Sequence, residues 1–142
     1  MHAEILKPVA ILVAWTLAIL VVMILRRLPA MRAAGIDLNT ARGGKPGALD
    51  GVIPDSAQWP AHNYIHLVEQ PTLFYAVALL LAVIGQGYGL NAGLAWAYVG
   101  LRVLHSLIQI TANIIRYRFL AFAASTLVLL VLTVRALAVL FA

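Results

Sequence analysis

The chain contains no cysteine, so it has no thiol nucleophile, no thiolate metal site, no disulfide framework and no redox pair. Charge is scarce as well. Ten Lys and Arg and five Asp and Glu make up only 11% of 142 residues, where a water-soluble domain carries about a quarter. Although the net charge is +5, these few cations are not gathered on a soluble basic face, which excludes a nucleic-acid-binding module. What fills the chain is apolar: 63% of the residues are hydrophobic and the mean hydropathy is +0.96. A chain of this length lacks the interior volume to hide that much apolar surface. The lipid bilayer is therefore its solvent.

A spanning helix needs about 20 mostly apolar residues, and four stretches qualify: Ile5 to Leu25, Ile65 to Ile84, Ala92 to Ile115 and Phe119 to Ala142. Arg26 and Arg27 directly follow the first, a stop-transfer pattern rather than a cleavable signal. Arg26 to Ala61 is the only long polar stretch and has no apolar periodicity, so it reads as a loop. The sequence thus predicts one all-α membrane domain built as a four-transmembrane-helix bundle, since backbone groups in hydrocarbon must bond within their own segment. Short cytoplasmic loops keep an excess of Lys and Arg. Arg26, Arg27, Arg32, Arg42 and Lys45 lie in the first loop and Arg116 and Arg118 between the last two spans, while Gly85 to Asn91 is uncharged. Both termini are accordingly expected outside the cytoplasm, and Gly85, Gly87 and Gly89 in a tight outer turn. Arg135 is expected to snorkel to the outer interface.

Ionisable side chains within a span cost several kcal/mol by insertion scales and read first as functional. His62, His66 and Glu69 step by four and three residues along one face of the second span. Arg102, His105, Gln109, Asn113 and Arg116 form a continuous stripe along the third. The two stripes run antiparallel and are expected to face one another, with Glu69 paired to Arg102. Polar glue fixing helix register is the structural reading of that pair. The number of polar groups favours a hydrated pocket with basic walls suited to an anionic ligand. No metal site is expected.

The segment His66-Leu-Val-Glu69-Gln70-Pro71-Thr-Leu-Phe74-Tyr75 resembles the signature of the MAPEG family, the membrane-associated proteins in eicosanoid and glutathione metabolism. Arg102-Val-Leu-His105 is similar to the family's Arg-x-x-His, and Arg118 follows where the family has an arginine contacting the glutathione thiol. The resemblance covers nearly the whole chain. It implies a homotrimer of four-helix subunits with glutathione as co-substrate between subunits, conjugated to a lipophilic small molecule dissolved in the bilayer. Mapped by motif, Glu69, Arg102, His105 and Arg118 are the ligand-contacting candidates, joined by one of Arg26 and Arg27, with Arg27 taken as the binding candidate; Arg118 and His105 are the catalytic candidates, and His62, His66, Gln109 and Asn113 of the two polar stripes complete the binding set. The sequence departs from the family at four places: His66 stands for the usual Asn, Ile65 for the preceding Arg, Gln109 for a Tyr, and Phe119 for a Ser. These leave the binding frame and alter the residues nearest the chemistry, as in bacterial members of the family, and a bacterial inner membrane is the expected location. Two readings from other classes remain: a non-enzymatic small subunit of a larger membrane complex, and a haem-binding anchor with His66 and His105 as axial ligands.

Overall fold

The computed structural model describes residues 3–142, and every regular element among them is helical: α1 (Leu6–Ala33), α2 (Asp55–Val83), α3 (Gly89–Ile110) and α4 (Ile115–Leu140). Three of these, α1, α2 and α4, are long and apolar enough to cross a membrane. The fourth, α3, has 22 residues, enough for about 33 Å of rise, and its polar stripe lowers its hydropathy. That stripe is turned inward, so the protein is a four-helix transmembrane bundle whose apolar exterior suits lipid. Leu25, Val83 and Ile115 are among its most exposed residues.

The helices alternate in direction. At one end, the Ile5 N–H donates to the Gly87 carbonyl at 2.9 Å, which brings the start of α1 against the α2–α3 turn, and the Arg135 side chain of α4 bonds Asn91 of α3. At the other end, Arg26 Nη1 donates to the Ile110 carbonyl at 2.7 Å. α1 packs along α2 and α3 along α4, with α2 and α3 joining the two pairs; among the described residues α1 and α4 do not touch. The core between them contains Leu12, Ile19, Leu67, Phe74, Tyr98 and Leu132.

The stretch expected as loop from Arg26 to Ala61 is shorter. α1 continues to Ala33 and α2 begins at Asp55. Hydropathy marks where lipid ends, whereas Ala30, Met31, Arg32 and Ala33 are good helix formers and carry the helix on beyond the double arginine. With 28 and 29 residues, α1 and α2 are each more than 40 Å long against a hydrocarbon core of about 30 Å. Both therefore project into the interface on the side of their connecting loop. α1 stops at Gly35 and α2 at Gly85, with φ +76° and +75°. In each case the next residue's N–H reaches back to close the last turn, Ile36 to Met31 and Gln86 to Leu81. Gly87 serves a different need. A Cβ there would lie 2.7 Å from that of Ala3.

Candidate active site

α3 buries one face along its whole length: Asn91, Ala95, Tyr98, Arg102, His105 and Gln109 are all inaccessible or nearly so. The expected stripe is thus the inner face, extended by Tyr98 one turn beyond Arg102. It ends at Asn113, which adopts a left-handed conformation at φ 52° in the α3–α4 turn, while Arg116 is exposed.

The second stripe lies differently. Glu69 is 61% exposed at the side chain and sits 3.4 Å from His66 Nδ1, so the expected pair with Arg102 does not form. The face that α2 turns inward is one residue round: Asn63, Leu67 and Phe74 are buried, with Gln70 half-buried. Asn63 Nδ2 donates to Gln109 Oε1 at 2.9 Å, a buried amide pair tying α2 to α3. Gln70 joins a longer chain. Arg102 Nε donates to the Tyr98 hydroxyl at 3.1 Å, that hydroxyl lies 3.4 Å from Gln70 Oε1, and Gln70 Nε2 donates to Thr126 Oγ1 of α4 at 2.9 Å. No carboxylate compensates Arg102, whose charge is instead met by the Tyr98 hydroxyl and by the Tyr98 and Phe122 rings, each centred 5.3 Å from its Cζ. Its Nη2 is buried without a partner.

Phe122 separates Arg102 from a cavity of about 270 Å³ lined by His66, His105, Ile115, Arg118, Phe119 and Phe122. The His66 and His105 rings meet edge to face at 5.8 Å. Arg118, on the first turn of α4, is aimed by Asn113, whose Oδ1 accepts from Nη1 at 2.6 Å. Its Nε is buried and unpartnered. The pocket thus has two orphaned guanidinium donors in or behind its wall, two imidazoles and an apolar side, while the exposed Glu69 carboxylate lies outside its lining, 3.4 Å from His66 Nδ1. Such a set suits a small anion with an apolar reaction partner.

The description MAPEG family belongs to the family model that matches residues 5–138 of this chain. The chain belongs to the MAPEG family. Searches of curated proteins and of solved structures returned no match. MAPEG membership supports, at the level of the family, a glutathione-related transferase or peroxidase or an eicosanoid-type role in a membrane.

Of the candidates read from the sequence, the structure brings His66, His105 and Arg118 to one pocket, with Asn113 and Arg102 in direct support. Gln109 is buried in its bond to Asn63 rather than lining that pocket. Arg27 and His62 line a second, larger cavity under the α1–α2 loop. Phe119, where the family has Ser, is a pocket wall without a hydroxyl. Arg135 bonds Asn91 near the start of α3, at the end of the bundle where the α2–α3 turn lies. Sequence reasoning missed Asn63, Gln70 and Tyr98. The seven-residue spacing of Asn63 and Gln70, two helical turns, was the available signal, and the charged residues beside them obscured it.

Proposed function

We propose that this MAPEG protein is a membrane-bound glutathione transferase, or a glutathione peroxidase, acting on lipophilic electrophiles from the bilayer. The observation that carries this reading is the pocket on which Arg118, His105 and His66 converge, with the unpaired Arg102 cation behind its Phe122 wall. Glutathione has two carboxylates, an ammonium and a thiol; the arginines and Glu69 match its charges. In conjugation the thiolate sulfur forms a bond to the electrophilic carbon while the leaving group departs with the bonding pair. The thiol must first lose its proton. A guanidinium held at fixed distance in a low-dielectric site favours the thiolate, and Arg118, oriented by Asn113, is assigned that role. His105 carries the proton away.

A volume of 270 Å³ falls just below the usual range for ligand pockets, and Glu69 with its neighbours on α2 faces outward. Both features support a site completed by a neighbouring copy, in a homotrimer. The distribution of Lys and Arg supports loops one and three on the cytoplasmic side of a bacterial inner membrane.

Thermal-shift titration with glutathione in detergent tests the reading. Ligand at a hundred times Kd stabilises the native state by about 2.7 kcal/mol, so a saturable rise in Tm is expected. No rise at several millimolar glutathione overturns it.

A further inference from the structure

Arg102 heads a series of hydrogen bonds whose direction is set at every step. A guanidinium donates and never accepts, so the Tyr98 oxygen, 3.1 Å from Nε, is the acceptor there. The proton of that hydroxyl then goes to Gln70 Oε1 at 3.4 Å, which fixes the Gln70 amide with its nitrogen toward Thr126 Oγ1, 2.9 Å away. The threonine hydroxyl in turn donates to the Phe122 carbonyl at 2.8 Å. Three helices are crossed, from α3 to α2 to α4.

The series closes on itself. Its last acceptor belongs to Phe122, whose ring is centred 5.3 Å from Arg102 Cζ and lines the pocket of His105 and Arg118. The cation and the ring that stands between it and the pocket are thereby tied by the same bonds, and Tyr98 is the link next to the cation. Tyr98 is fully buried, one turn from Arg102 on the same face of α3, with its ring stacked on that of Phe74 at 4.3 Å between centroids. Among the described residues no carboxylate pairs with Arg102, and the Tyr98 hydroxyl is its one hydrogen-bond partner. A stiff phenol thus occupies Nε, and the buried Nη2 keeps its donors unspent.

We propose that Tyr98 is a positioning residue of this pocket: its hydroxyl holds the Arg102 cation behind the pocket wall, where the charge attracts a ligand carboxylate in a low-dielectric setting, and through Gln70 and Thr126 it holds Phe122 in that wall. That the carboxylate is one of glutathione's rests on the function proposed above. The orientation of Arg102 does not.

The test uses the full chain in nanodiscs of phosphatidylcholine, with isotopically labelled arginine read by nitrogen-resolved NMR. The Arg102 Nε–H signal is the one lost in Arg102→Lys. Tyr98→Phe keeps the ring and its stack on Phe74 and removes only the hydroxyl, so that signal is expected to move and to exchange with water faster while the other arginine signals stay in place. The second readout is affinity for glutathione and for its diethyl ester, in which both carboxylates are masked. Tyr98→Phe should weaken glutathione about tenfold, since a hydrogen bond to a charged group no longer fixes the cation. The loss is expected in KM rather than kcat, and the ester should bind as before. Should Tyr98→Phe fail to fold, Gln70→Met takes its place: it removes the acceptor for the Tyr98 proton, and the same two effects are expected at smaller size. An Nε signal that does not move, or glutathione and ester weakened alike as by a purely structural loss, overturns the proposal. If the wild type binds no glutathione, the glutathione reading falls by itself, and the Nε signal alone decides for or against Tyr98.

Discussion

Arg118 and Asn113 show how much depends on single side chains. The left-handed backbone at Asn113 is a conformation that Asn tolerates better than almost any residue but Gly, and from it the amide reaches Arg118 Nη1 at 2.6 Å. Arg118→Ala is expected to lower kcat/KM for conjugation by about two to three orders of magnitude, the usual loss for a preorganised donor. Arg118→Lys should recover only part of it, because an ammonium keeps the charge but not the fork. Asn63 and Gln109 form a buried side-chain pair, so a double-mutant cycle with Ala at both, read by thermal unfolding, should give a coupling of about 0.6 kcal/mol. Glu69 and Arg102, which make no contact within the chain, should give losses that add. The stripe on α3 was legible because helical periodicity alone places Arg102, His105 and Gln109 on one face. The inward face of α2 was not. Charge drew attention to His62, His66 and Glu69, and which of two adjacent faces turns inward is decided by the partner helix, whose register no single segment encodes.

The helices themselves were largely visible, since long apolar runs in a chain this hydrophobic leave few alternatives, but their ends were not. The ends depend on left-handed caps at Gly35, Gly85 and Asn113 and on backbone bonds that hydropathy ignores. The turn between α2 and α3 is closely packed against the start of α1. Gly87→Ala would place a methyl 2.7 Å from Ala3 Cβ and 3.0 Å from Ile5 Cγ2, and overpacking of this kind costs roughly 1–3 kcal/mol. A lower Tm is the expected readout, with the Ile5 amide losing hydrogen-exchange protection. The loop between α1 and α2 tests orientation. A cysteine at Gly44, the only thiol in the chain, should be shielded from an impermeant reagent added outside intact cells and become reactive once they are opened.

For the molecule as a whole, the proposed homotrimer would let a neighbouring copy cover the outward-facing Glu69 and enlarge the small His105–Arg118 pocket. Native mass spectrometry in detergent is expected to show three copies, and a Glu69→Gln variant a weaker assembly. The packing also carries a mechanical consequence. Since α1 packs more closely along α2, and α3 along α4, than any one helix does across the divide, the chain is two helical hairpins joined by five residues. Drawn from the bilayer by its C-terminus with a cantilever, it should come out in two force peaks, the α3–α4 hairpin first. The second peak should appear only after the bonds of Asn63 and Gln70 have been broken.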